Sequence, residues 1–119
     1  MARYSLVRGW IECEYEDVKA IRGAANAFWR SHDRYNIDAG SANLYWKGWY
    51  FPESPLNWTS FVFFGANVRS AAVPFIRDSL IEIVNLRLDV EGLFYVDGDE
   101  GEGPRIWKIG DQCLLEEDR

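Results

Sequence analysis

The chain has 119 residues, of which 48% are hydrophobic and 16% aromatic, a composition that supports a folded core and excludes a disordered segment. Its formal net charge is −6 at pH 7. That charge disfavours nucleic-acid binding, which depends on a positive surface, and favours a basic protein partner. We expect a single domain spanning residues 1–119.

The ends of the sequence and its two cysteines bear on localisation. The first residues lack the continuous apolar segment of a signal peptide, and no apolar run approaches membrane-spanning length. Cys13 and Cys113 lie far apart in the chain, and neither belongs to a Cys-x-x-Cys pair. A disulfide between them needs neighbouring strands, whereas free thiols are typical of a reducing cytoplasm. We therefore expect a cytoplasmic protein that does not contact a membrane.

The first predicted elements are a strand and a helix. Residues 4–13 alternate with a period of two, which places Val7 and Ile11 on a face that meets helices and Arg8 and Trp10 on the other face. Residues 14–30 then show apolar side chains at helical spacing, with acidic residues at the start, where the helix dipole favours them. The polar residues 31–43 are predicted to be a loop.

The next two predicted strands are strongly aromatic. Residues 44–51 are predicted to form the second strand, with Lys47 and Trp49 facing away from the helices, and Pro52 ends it. Residues 57–67 contain five large apolar side chains in close succession. This pattern is typical of a central strand buried at least partly on both faces.

The remaining chain predicts a helix and a hairpin. Residues 70–88 carry an apolar stripe of helical period, with Pro74 in the first turn. Residues 91–97 and 105–109 predict two strands of a hairpin, and residues 110–119 a short acidic tail. The order indicates an α+β fold, a ferredoxin-like βαββαβ unit with an added C-terminal strand. Its antiparallel sheet would carry two helices on one face and leave the other face open.

The open face is the first candidate functional surface. We expect it to carry Arg8, Trp10, Lys47 and Trp49, with Tyr95 or Phe94 and Trp107 nearby. Aromatic and arginine side chains are frequent anchors of protein interfaces. Alternatively, the C-terminal tail or a homodimer mate covers this face. Base stacking, as in RNA-recognition modules, is disfavoured because their aromatic–glycine signature is absent.

Carboxylates supply the second candidate surface. Two acidic groups are predicted to contact a partner: Glu12, Glu14, Glu16 and Asp17 in one, and Asp97, Asp99, Glu100 and Glu102 in the other. A calcium site in the second group is disfavoured, because Glu102 and Lys108 stand where an EF-hand needs glycine and glutamate. The alternatives are a solvated hairpin tip for the second group and helix-start stabilisation for the first. We expect no metal site and no cofactor.

No catalytic motif accompanies these surfaces. His32 is the single histidine, and no nucleophile motif stands beside it. Cys13 is expected to serve packing rather than chemistry, because its strand position faces the helices. We therefore predict that the protein is not an enzyme. The competing hypothesis is a dimeric ferredoxin-like enzyme or ligand-binding protein, with a pocket lined by Asn26, Trp29 and His32.

Several segments together carry a family resemblance: residues 8–13, 45–49, 51–53, 57–60, 63–66, 96–98 and 106–109. In these segments the chain resembles small cytoplasmic immunity proteins of bacterial toxin–immunity systems, including contact-dependent growth inhibition and polymorphic toxins. The resemblance implies an inhibitor that binds the C-terminal toxin domain of a cognate effector, often a nuclease. We therefore expect an immunity protein that occludes the toxin's active site or substrate groove, with Trp49 and Trp107 as anchors.

Overall fold

A computed structural model describes residues 3–98 and 103–119, which form an α+β fold with one six-stranded antiparallel sheet. The strand order in the sheet is β2-β3-β1-β4-β5-β6. The elements are β1 (Tyr4–Glu14), α1 (Val18–Trp29), α2 (Ala39–Trp46), β2 (Trp49–Tyr50), β3 (Thr59–Arg69), α3 (Val73–Val84), β4 (Glu91–Gly98), β5 (Arg105–Gly110) and β6 (Cys113–Asp118).

Strand β1 lies inside the sheet and pairs with β3 on one side and β4 on the other. Its alternation is as predicted: Val7 and Ile11 are fully buried on the face that meets the helices. Gly9 lies between them on that face, in close contact with β4. A Cβ atom added there would come within 2.1 Å of the Leu93 carbonyl oxygen, so the two strands approach closely because this residue has no side chain.

Helices α1 and α3 pack against each other over the buried sheet face. The predicted apolar stripe of α3 is confirmed, and its buried members are Val73, Ile76, Leu80, Ile83 and Val84. A short 3-10 turn precedes each helix, at Tyr15–Asp17 and Ser70–Ala72. In the part of the chain that the structure describes, no helix is long and apolar enough to span a membrane.

The prediction of a loop over residues 31–43 and a strand over 44–51 is wrong, because Ala39–Trp46 forms helix α2. The Asp38 carboxylate accepts a hydrogen bond of 2.7 Å from the Ser41 amide and caps the helix start. Ala42 and Tyr45, three residues apart, supply its buried side. Of the predicted second strand only Trp49–Tyr50 is extended, and the described residues form three α-helices rather than two.

Strand β3 is buried on one face only, so the prediction of burial on both faces is also wrong. Val62 and Phe64 point into the core, whereas Phe61 and Phe63 are 39% and 46% exposed. The strand continues through Gly65 as far as Arg69. The run of aromatic residues therefore divides between the core and an uncovered surface.

The C-terminal residues form a sixth strand that the sequence did not predict. Strand β6 pairs with β5 through a two-residue turn, Asp111 and Gln112, whose φ angles are 49° and 59°. This is the backbone geometry of a type I′ hairpin turn, which asparagine and glycine adopt more readily than other residues. The described part of the tail is therefore an edge strand rather than a loosely packed segment.

Two Gly→Ala changes test the close contact at Gly9. Gly9→Ala should lower the free energy of unfolding by roughly 3 kcal/mol or more, because the new Cβ overlaps strand β4. Gly23→Ala in α1, where no atom lies within 4 Å of the added Cβ, should instead raise it by about 1 kcal/mol. Urea unfolding of both variants checks this, and equal effects would contradict the described packing.

The β5–β6 turn gives a second stability prediction. Gln112→Gly removes a side chain from a residue with φ of 59° and creates an Asp-Gly turn. The free energy of unfolding should rise by about 0.5–1 kcal/mol, measured by thermal unfolding against Gln112→Ala. A Gly variant no more stable than the Ala variant would argue against this turn.

Candidate functional site

The sheet face away from the helices, called the open face here, carries a row of apolar side chains across four strands. Tyr50, Phe63, Trp10 and Leu93 are successive cross-strand neighbours on β2, β3, β1 and β4. Phe61 lies next to Phe63 with the two ring centroids 6.2 Å apart. We call these five residues the apolar band. Tyr50 is 58% exposed, and no described element covers the row.

A groove borders the apolar band at the edge of the sheet. It encloses about 370 Å³ between the side chains of Phe61 and Phe63 and the segment 52–56. Leu56 and Trp58, in and just after that segment, are 98% and 79% exposed. Contiguous exposed apolar side chains of this kind mark interaction surfaces more often than isolated ones do.

The centre of the open face is polar and internally paired. Arg8 donates a 2.7 Å hydrogen bond to the Asp97 carboxylate, and Arg119 donates to the same carboxylate at 3.1 Å. Both guanidinium groups lie over the Tyr95 ring, at 5.5 and 4.7 Å from its centroid. Lys108 pairs with Glu117 at 2.8 Å on the strands beyond. These groups already have partners, and exposed pairs of this kind contribute little to stability.

One end of the sheet carries a group of carboxylates. Glu12 on β1 and Glu91 on β4 lie directly opposite each other on the open face, beside Phe61. The whole group, called the acidic end here, comprises Glu12, Glu14, Glu16, Asp17, Asp89 and Glu91. Within residues 3–98 and 103–119, none of the six forms an ion pair. Like charges directly across a sheet oppose folding, so this end is electrostatically unfavourable in the free protein.

The neighbouring carboxylates at the acidic end raise the pKa of Glu14. A hydrogen bond with the Glu16 side chain raises the pKa of Glu14, and the charges of Glu16, Asp17 and Asp89 raise it further. A cationic partner would relieve this repulsion, because an opposite charge nearby favours the ionised carboxylates.

The predicted partner-binding carboxylates therefore separate into three sets. Glu12, Glu14, Glu16 and Asp17 lie together at the acidic end, which Asp89 and Glu91 complete. Asp97 lies away from it on β4 and is paired with Arg8 and Arg119. The other three predicted contacts, Asp99, Glu100 and Glu102, lie outside the described residues.

The prediction that Trp49 and Trp107 stand on the open face is wrong. Trp107 is fully buried, shares the helix-facing side of β5 with Ile109, and donates a 2.7 Å hydrogen bond to Glu116. Trp49 is 8% exposed and points into the core, because the chain is helical up to Trp46 and only two strand residues follow. Neither indole lies on the open face.

The structure also shows where the other residues predicted for the open face lie. Tyr95 lies opposite Arg8 and faces outward, whereas Phe94 is fully buried. Lys47 follows α2 and lines a groove beside α1 instead of the open face. Sequence reasoning missed Tyr50, Phe61 and Phe63 as surface residues. The exposure of Phe61 and Phe63 could have been predicted from the sequence, because they alternate with Ser60, Val62 and Phe64 along the strand.

The two residues considered for catalysis, His32 and Cys13, lie in different local environments. His32 Nδ1 lies 2.6 Å from the Ile37 carbonyl oxygen, which holds the ring against the chain. Burial, followed by the charges of Asp17 and Glu12, raises the pKa of Cys13 to about 11, so its thiol stays protonated. Both cysteines are free. In the described ranges, no three His, Cys, Asp or Glu residues are placed to hold a metal ion.

The pocket predicted around Asn26, Trp29 and His32 does exist. These side chains line a cavity of about 340 Å³, which lies between α1 and α2 rather than between helices and sheet.

Comparison with known proteins gives no match to a family model, a curated protein or a solved structure.

The buried thiol predicts a pH dependence of stability. The folded-state pKa of Cys13, about 11, exceeds its ordinary value of 9.0, so its contribution is complete below pH 9 and is lost as the pH rises towards 11. Cys13→Ala should reduce the fall in unfolding free energy between pH 8 and pH 10 by about 1 kcal/mol. Tyr35, whose pKa is also raised, titrates in both proteins. Parallel pH profiles from urea unfolding would contradict the burial of this thiol.

Proposed function

We propose that the protein binds a basic protein partner through its open face, and that it acts there as an immunity protein that neutralises a toxin domain. The observation that carries the proposal is the exposed apolar band bordered by Glu12 and Glu91, which belong to the acidic end, whose six carboxylates form no ion pair among the described residues. The immunity role itself rests on the resemblance of the sequence segments named above.

The apolar band has the chemistry of an interface core. Aromatic side chains supply most of its area, and such residues dominate the binding energy of protein interfaces. Phe63 lies at its centre, between Tyr50 and Trp10 along the same row. Burying Phe61 and Phe63 beneath a partner would remove apolar surface from water, at about 25 cal/mol per Å².

The acidic end would orient a partner and accelerate its approach. Unpaired carboxylates attract a basic surface over a Debye length and raise association rates at low salt. Glu12 and Glu91 border the apolar band, so a cation of the partner placed between them would sit next to Phe61. A nuclease carries basic groups in its substrate groove, so covering that groove would block its activity.

We further propose that the first part of the fold is a ferredoxin-like unit. Its support is the order of four strands, β2-β3-β1-β4, with α1 before β2 and α3 before β4. Strands β5 and β6 would then be an extension, and α2 an insertion before the second strand. In this arrangement both long helices cover one face and leave the other for the partner.

The experiment adds the purified protein to the toxin domain encoded by the adjacent gene and measures toxin activity against molar ratio. We expect complete inhibition near equimolar ratio. Phe63→Ala should weaken binding at least tenfold, because it removes the central ring of the band. Leu44→Ala is the matched control, since Leu44 is 62% exposed on α2, away from the open face.

The charge contribution needs its own pair of variants. Glu12→Gln combined with Glu91→Gln should slow association several-fold and flatten its dependence on salt. Glu82→Gln on the exposed side of α3 should leave both the association rate and its salt dependence unchanged.

Undiminished toxin activity at molar excess would refute the immunity function. Inhibition that is unaffected by the Phe63 and glutamate changes would refute the open face as its site.

A further inference from the structure

A groove runs along helix α1 on the side that faces α2 and β2. It consists of two cavities of about 600 and 340 Å³ that share Trp46 in their linings. Helix α1 contributes Arg22 to the first cavity and Asn26 to the second, and Arg30, which caps the end of α1, also lines the second. Both volumes lie in the range of small-molecule sites. Apart from Tyr50 at its rim, this groove shares no residue with the apolar band.

The groove is basic although the protein is acidic. Arg22, Arg30 and Lys47 line it, and Glu53 is the one carboxylate among its described lining residues. Among the residues that the structure describes, none of these three cations forms an ion pair. The Arg22 guanidinium lies 5.7 Å from the centre of the Phe51 ring. Two cations, Arg22 and Lys47, are thus available to an anion in the larger cavity.

One side chain in the wall of this cavity carries a buried donor that has no acceptor among the described residues. The indole of Trp49 lines it and is 8% exposed, and its Nε1–H has no hydrogen-bond partner among the described residues. A buried donor left unpaired is costly, and the large majority of buried side-chain polar atoms find a partner. By contrast, Trp29 Nε1 donates to the Ala42 carbonyl oxygen at 2.8 Å. A ligand acceptor that reaches Trp49 with a small shift of its neighbours would satisfy the group.

We propose that this groove binds a small ligand made of a planar heteroaromatic ring and a phosphate group, the class to which nucleoside monophosphates belong. Arg22 and Lys47 would hold the phosphate, because unpaired cations recognise it by charge-assisted hydrogen bonds. The half-buried Trp46, which separates the two cavities, would stack on the ring. The Asn26 and Asn43 amides in the smaller cavity offer the donors and acceptors that match the edge of a base.

The test uses the six indole N–H resonances of the ¹⁵N-labelled protein as reporters. Adenosine monophosphate should shift the Trp46 and Trp49 resonances saturably, and the Trp49 proton should move downfield as it gains an acceptor. Trp107, which already donates to Glu116, should not move. No saturable shift at millimolar concentration, or equal shifts at Trp107, would overturn the proposal.

Binding of ligand fragments, and binding to variants, then measures how much the ring and the phosphate each contribute to affinity. Adenosine and inorganic phosphate alone should each bind at least tenfold more weakly than the monophosphate. Arg22→Gln should weaken the monophosphate about tenfold, as expected for loss of a charge-assisted contact. Lys19→Gln, also exposed on α1 but outside the groove, should not. Phosphate or adenosine binding as tightly as the monophosphate, or an unaffected Arg22→Gln variant, would refute the assignment.

Discussion

Burial of strand β1 on one face only is the constraint on which the rest of this structure depends. Val7 and Ile11 are fully buried beneath helices α1 and α3, and Gly9 between them lets β4 approach. Because both long helices lie over that face, every outward residue of the inner strands is left for solvent or a partner. The aromatic residues of β3 therefore serve two purposes: Phe64 fills the core, and Phe63 stands on the open face.

The charge of the molecule is distributed as unevenly as its apolar surface. Carboxylates that form no ion pair with any described residue gather at one end of the sheet, around Glu12 and Glu91, while Arg22 and Lys47 line a groove beside α1. The paired groups around Asp97 occupy the face between the apolar band and the far end of the sheet. The protein with a net charge of −6 thus has one acidic surface and one basic surface. The acidic surface suits a basic protein, and the basic groove suits a small anion.

Sequence patterns correctly predicted the elements in which the spacing of apolar residues along the chain matches the spacing of buried residues in the structure. The alternation of β1 and the helical stripe of α3 were correct, because each is decided by residues close together in the chain. Helix α2 was missed because its aromatic residues favour strands locally, while its Asp38 cap and the burial of Tyr45 favour a helix. Strand β6 was missed because its stability comes from pairing with β5 rather than from its own apolar pattern.

The candidate site was harder to predict from the sequence, because it depends on the register with which the strands pair. A shift of one residue moves a side chain to the opposite face, and Trp107 was placed outward for that reason although it is fully buried. That Glu91 stands across from Glu12 follows from the pairing of β1 with β4, which no local pattern contains. The acidic character of residues 12–17 could be predicted, but the carboxylates that complete the group could not.

Hydroxyl-radical footprinting of the free and partner-bound protein tests the central claim most directly, because it reports the exposure of individual side chains. The account predicts that Tyr50, Phe61 and Phe63 become protected from oxidation in the complex, while Leu44 on α2 stays as reactive as in the free protein. Protection confined to the helix side, with the three open-face rings as reactive as before, would contradict it.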